Sequence, residues 1–165
     1  MSAAFTIRDA GPGDAATILA FVRALAAYER EPDAVEATEE RLRAQLASDD
    51  PPFECLLAED ASGAVGFALT FRTYSTWKGA PGTWLEDLFV PPEHRGRGIG
   101  EALLRAVAAR AVARGHARLE WSVLDWNEPA LGFYRHLGAT PLSEWTTHRV
   151  SGDALRALAL PRPPQ

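Results

Sequence analysis

Arg95-Gly96-Arg97-Gly98-Ile99-Gly100 places glycine at every second position beside two arginines, directly ahead of a helical pattern. Glycine takes positive φ at little steric cost and lets the backbone approach a ligand, so successive N–H groups can converge on one point at a helix N-terminus. That is a cradle for an anion. Arg95 and Arg97 add local positive charge to a chain whose net charge is −5, and a pyrophosphate is the guest that fits. Taken alone the loop also reads as a flexible surface turn with solvated arginines. Two familiar phosphate loops do not match. A dinucleotide fingerprint needs G-x-G-x-x-G, one residue longer at its last spacing, and a Walker loop ends in Gly-Lys-Ser/Thr, whereas Gly100 is followed by Glu101.

A second feature lies just upstream. Thr83 to Val90 reads as a largely apolar strand with two adjacent carboxylates, Glu86 and Asp87, at its centre. Acids inside a central strand are costly unless something uses them. Regular alternation points the two to opposite faces, so only one lines a given cleft. Metal chemistry is not indicated: His94, His116, His136 and His148 lack ligand spacing with one another or with Cys and Asp, and no metal is expected. Cys55 cannot form an internal disulfide and reads as a small buried strand residue.

The elements that position these groups follow from periodicity. Phe5 to Arg8 alternates as a short strand, and Asp14 caps a helix with inward Ile18, Leu19, Val22 and Leu25 that runs to Tyr28-Glu29. Thr38 caps a shorter helix. Phe53–Ala58 and Ala64–Arg72 form a predicted antiparallel hairpin across Glu59–Gly63, a loop at Tyr74–Gly82 carries Tyr74 and Trp77, and the strand with the two carboxylates follows. After the glycine loop come a helix over Gly100–Arg114 closed by Gly115, a strand over Ala117–Leu124, a helix over Glu128–Leu137 closed by Gly138, strands near Ala139–Leu142 and Trp145–Val150, and a helix over Gly152–Leu160. The order is a meander followed by βαβ, an α/β class with a mixed, mostly antiparallel sheet of about seven strands flanked by four or five helices.

Bulk properties bound the function. At 165 residues the chain is about one domain of the usual ~150, so 1–165 is read as a single domain with 162–165 frayed. Apolar residues at 47% and charged residues at 24% exclude disorder as the main state. The negative charge and the lack of a basic stripe argue against nucleic acid and anionic membrane and favour a cationic small partner. Arg8 and Asp9 interrupt any leader-like apolar run and no membrane span is found, which makes a cytoplasmic protein the default.

Arg95-x-x-Gly98-x-Gly100, after a strand ending Leu88-Phe89-Val90, resembles the acetyl-CoA pyrophosphate motif R/Q-x-x-G-x-G/A of the GCN5-related N-acetyltransferases. Asn127 followed by Phe133-Tyr134-x-x-Leu137-Gly138-Ala139 is similar to that family's second signature, and the element order is the family's. Tyr28-Glu29, Tyr74-Ser-Thr-Trp77-x-Gly79, Trp84 to Val90 and Trp126-Asn127-Glu128-Pro129 together resemble its spermidine/spermine acetyltransferase branch, over Phe5 to Leu158. The resemblance implies an enzyme using acetyl-CoA to acetylate a small cationic amine such as a polyamine, diamine or thialysine, working as a homodimer. Leu142-Ser143-Glu144-Trp145 is shorter than the branch's acidic stretch, which leaves Glu144 without a matched role. The alternatives are another amine acceptor (a protein N-terminus, an amino acid or an aminoglycoside) and a non-catalytic acyl-CoA sensor.

An alkyl ammonium with pKa ~10.4 is the free amine in about one part in 2,500 at pH 7, a deficit of about 4.6 kcal/mol, so a base is needed, direct or through water. The resemblance favours Glu86 for holding the cation and relaying its proton. It implies an N–H in or beside Leu88-Phe89 donating to the acetyl oxygen if the strand bulges there, with the pantetheine arm on Leu88, Phe89 and Val90 where this strand splays from the next. Cofactor contact carries over to Arg95, Gly96, Arg97, Gly98, Ile99, Gly100, Glu101 and Asn127, and to Tyr134, a phenol of pKa ~10 that is the candidate acid for the leaving thiolate. Tyr28, Glu29, Asp87 and Trp77 join Glu86 as acceptor-binding candidates. Solvated helix end, strand-edge salt bridge and packed aromatic are the plainer readings of these residues.

Overall fold

A computed structural model describes residues 4–161; the tail expected to fray, 162–165, lies outside the described residues. The chain divides into two compact units, Met1–Ser122 and Val123–Gln165.

In the first unit β1 (Thr6–Asp9), β2 (Glu54–Asp60), β3 (Gly63–Ser75), β4 (Ala80–Phe89) and β5 (Leu119–Glu120) form one sheet in that spatial order, antiparallel except for the parallel β4–β5 pair. Helices α1 (Ala15–Tyr28) and α2 (Glu39–Leu46) cover one face. Ile18 and Phe21 of α1 and Leu42 of α2 pack there with Cys55, Leu57, Phe67, Leu69 and Phe89 of the sheet, and Phe21 stacks on Phe67 at 5.3 Å between ring centres. The alternate strand positions face α3 (Ile99–Ala113), whose buried stripe is Ile99, Leu103, Leu104, Val107 and Ala111. Gly66 leaves room on that face for α3: a Cβ there would lie 3.2 Å from Ile99 and from Val90.

Local chemistry explains the boundaries. Thr38 Oγ1 accepts the Arg41 N–H at the start of α2, and Gly115 at φ 69° turns the chain after α3. Asp14 stands at the N-cap of α1, but its carboxylate is used elsewhere: it accepts from the Gly11 N–H at 2.8 Å and pairs with Arg8 at 2.8 Å, which holds it down at about pKa 2. α1 ends with Arg30 at φ 67°, a left-handed conformation rare outside glycine.

The second unit holds α4 (Glu128–His136), closed by Gly138 at φ 85°, and α5 (Gly152–Leu158). Two expectations are corrected. The strands anticipated near 139–142 and 145–150 do not form, so the sheet has five strands among the described residues in place of about seven. The strand expected over 117–124 shrinks to two residues. β-Branched and aromatic content signals strand tendency, yet a strand exists only where a neighbour satisfies its backbone, and 139–150 has none, with Pro141 removing one donor.

Candidate active site

The two carboxylates of β4 share a face. Leu69 pairs with Asp87 and Thr70 with Leu85, so Glu86 is the extra residue of a β-bulge. Leu69 belongs to the core under α1 and α2, which puts its partner Asp87 on that side. Trp84 pairs with Phe71, two residues along from Leu69, and its ring lies 6.3 Å from that of Phe71; its Nε1–H donates to Glu86 Oε2 at 2.8 Å, which puts Glu86 on that side too. The expectation that Glu86 and Asp87 point to opposite faces is therefore corrected: the bulge resets the alternation between them. It lies at Glu86 and not at Leu88–Phe89, which pair regularly with Ala68 and Phe67.

Their environments differ. Glu86 is exposed, whereas Asp87 is half-buried and its carboxyl is pushed up to about 6 by burial first, then by the negative charge of Glu86 and of Glu29. Glu29, at the end of α1, is also raised by burial. Among the described residues none of these three carboxylates makes an ion pair, although eleven ion pairs involve other side chains. The result is an acidic site lacking a cation, walled on one side by Trp84 and Phe71.

Tyr28 connects this site to the glycine loop. Its ring tilts against Phe89 at 6.4 Å, and the Arg95 guanidinium lies over it at 4.8 Å while Arg95 Nε donates to the Val90 carbonyl at 2.9 Å. Arg97 reaches Asp60 at 2.7 Å and His94 Nδ1 at 3.2 Å. Both loop arginines thus already have protein partners. Gly96 and Gly98 take φ of 73° and 79°, and Gly98 stands at the N-cap of α3, where it has no side chain to cap the backbone donors of the first turn. Ile99 is buried and anchors the loop, and Glu101 pairs with Arg105. This loop fits a pyrophosphate, with its backbone and not its arginines as the main source of donors.

β4 pairs with β5 only at Thr83 and Trp84, so its edge from Leu85 to Phe89 runs on beyond that ladder. In the second unit Asn127 is buried and caps α4, its side chain accepting from the Ala130 N–H at 3.4 Å. Tyr134 is half-buried with its ring 5.2 Å from Phe133. Trp77 is 87% exposed in the β3–β4 loop, and Trp126 is 42% exposed. The structure thus gathers Tyr28, Glu29, Glu86 and Asp87 on one face and leaves Trp77 in solvent. Sequence reasoning missed Trp84 as the partner of Glu86 and Asp60 as the partner of Arg97. Their spacing of two residues on one strand could have signalled the first; the second spans 37 residues and has no local signal.

The profile of the acetyltransferase (GNAT) family matches residues 18–139. The chain belongs to this family. It is 42% identical over 164 residues to the thialysine N-epsilon-acetyltransferase of Bos taurus, covering 93% of this chain and 96% of the relative. It is 39% identical to the L-ornithine N5-acetyltransferase of Arabidopsis thaliana over 70% of this chain and 52% of that protein. Among solved structures, an integron cassette protein from the mobile metagenome of V. cholerae superposes with a TM-score of 0.78 at 26% identity, covering 96% of this chain and 98% of that one. The chain is therefore an acyltransferase that places an acetyl group on a small amine, and acetyl-CoA is the donor its family uses. Among the described residues no helix is long and apolar enough to cross a membrane, and no group of three metal-ligating side chains occurs.

Proposed function

We propose that this chain acetylates the side-chain amine of a small dibasic acceptor, a diamino acid such as thialysine or a short diamine or polyamine. The observation that carries the reading is the cation-free trio Glu29, Glu86 and Asp87 on one face of the bulged β4. Carboxylates brought together without a counter-charge favour a ligand that brings positive charges. Two relatives are named for acetylating the side-chain nitrogen of a diamino acid, which agrees in chemistry.

In this reading Glu86, in water and oriented by Trp84, meets the reacting ammonium and relays its proton. Asp87 beside it, its carboxyl pushed up to about 6 by burial and then by the charges of Glu86 and Glu29, has a proton affinity in the range where a base works near neutral pH. Glu29, with Tyr28 against it in sequence, takes the second cationic centre. Bound acetyl-CoA supplies the acetyl thioester. The backbone from Gly96 to Glu101 at the start of α3 would hold its pyrophosphate, with Arg95, Arg97 and Ile99 shaping that loop, Leu88, Phe89 and Val90 would pair with its arm, and Asn127 is a further proposed contact. Tyr134 gives its phenolic proton to the departing sulfur.

The family match spans both compact units, which supports a single acetyltransferase domain over 1–165. A homodimer is part of the proposal, supported by exposed Leu142, Trp145, Val150, Leu155 and Leu158, and light scattering at micromolar concentration tests it. So is a cytoplasmic location, which the lone buried thiol of Cys55 suits.

Thiol release from acetyl-CoA over thialysine, ornithine, putrescine, spermidine, an aminoglycoside and a Ser-Ala peptide tests the acceptor class. Turnover concentrated on the small dibasic amines is expected; preference for the peptide or the aminoglycoside would overturn it. Donor binding without turnover on any amine would leave an acyl-CoA sensor.

A further inference from the structure

The glycine loop has a feature that phosphate binding does not explain. Gly96 and Gly98 both adopt left-handed backbone, and a side chain at either would meet nothing within 4 Å, so packing does not hold the loop in shape at those positions. What reaches it from outside is a carboxylate on the β2–β3 turn. Asp60, the last residue of β2, pairs through Oδ2 with Arg97 Nη2 at 2.7 Å, and the side chains of Asp60 and Arg97 are 9% and 21% exposed. Asp60 is itself fixed: its Oδ1 accepts from the Ser62 backbone N–H at 2.8 Å and from the Ser62 hydroxyl at 2.5 Å. Ser62 above all, and Arg97 with it, hold this carboxyl far below the ordinary range.

We propose that Asp60 is a positioning residue for donor binding, strapping the glycine loop to the β2–β3 turn through Arg97, so that Arg97 sets the loop's shape and does not itself bind the phosphates. The inference rests on the reading of this loop as the acetyl-CoA site. Its physical content is pre-organisation: a loop with two left-handed glycines samples many conformations, and fixing one of them lowers the entropy lost when the anion binds.

The sign of one substitution separates this account from direct phosphate contact. Asp60→Asn keeps the shape and the Ser62 bonds but removes the charge. As a strap residue, its loss raises the KM for acetyl-CoA about tenfold, with kcat at saturation and the acceptor KM within about twofold; Arg97→Gln does the same, and the double variant is no worse than either single one. Asp60→Glu recovers part of the effect. Ser62→Ala, which leaves both charges in place, gives a smaller rise in the same direction and serves if Asp60→Asn folds poorly. If Arg97 contacts phosphate directly, Asp60→Asn leaves the KM unchanged or lowers it while Arg97→Gln raises it, and the proposal falls. It falls too if neither variant moves the KM. Coenzyme A titrated calorimetrically into the unmodified protein distinguishes the underlying reading: no binding there overturns the donor site itself.

Discussion

The carboxylate face of β4 and the glycine loop at its end are chemical opposites in how they treat their charges. In the loop both arginines are already matched, Arg95 to the Val90 carbonyl and the Tyr28 ring, Arg97 to Asp60. On the acidic face Glu29, Glu86 and Asp87 pair with no cation among the described residues, and burial first, then the charges of Glu86 and Glu29, lift Asp87 to about 6. A group satisfied by the protein serves the fold, whereas a group left uncompensated is paired by a ligand. In the proposed function, side-chain electrostatics therefore serve the acceptor and backbone donors serve the anion of the donor. Tyr28 touches both regions, as the ring under Arg95 and the neighbour of Glu29.

The largest expected effect leaves both regions intact. Tyr134→Phe lowers kcat about a hundredfold with coenzyme A affinity unchanged, measured by steady-state kinetics beside calorimetry; an unchanged kcat removes the phenol from the chemistry. Asp87→Asn breaks the acidic side. The acceptor kcat/KM falls about thirtyfold, and the rise of log kcat/KM with pH through about 6, where the wild-type carboxyl ionises, disappears. The stability sign is also fixed. A carboxyl raised in the folded state costs stability as pH climbs from its unfolded value of ~4 to about 6, so the Asn variant gains in thermal midpoint over the wild type above pH 6 and not below pH 4. Gly98→Ala breaks the donor side by forcing a Cβ onto φ 79° at the start of α3. The acetyl-CoA KM rises about tenfold for a strain of about 1–2 kcal/mol while the acceptor KM holds, which a two-substrate kinetic grid resolves. The smallest effect lies at the end of α1: Arg30→Gly relieves the left-handed residue there and raises the thermal midpoint by a few degrees, about 1 kcal/mol, with activity retained.

Much of this was legible in the sequence because it is local. Helix periodicity placed α1 through Tyr28, Thr38 capped α2 as its chemistry requires, and the glycine spacing marked the start of α3. Glu86 and Asp87 stood out as acids in an apolar strand. What stayed hidden depends on partners remote in the chain. The bulge that turns Glu86 and Asp87 to one side is a matter of register against Leu69 and Thr70, and nothing in Trp-Leu-Glu-Asp signals an unpaired residue. Asp60 looked like turn chemistry and became the counter-charge of Arg97 only through the fold. The strands expected at 139–150 failed for the converse reason, a strand-like composition without a neighbouring strand.

The most direct measurement compares two acceptors of equal length, an α,ω-diamine and the monoamine in which a methyl replaces the second ammonium, by kcat/KM in the wild type and in Glu86→Gln/Asp87→Asn. If the uncompensated carboxylates recognise the acceptor's charge, the wild type favours the diamine more than about tenfold and the double variant loses most of that preference. Equal rates for the two amines in the wild type, or a preference that survives the double substitution, would contradict the account.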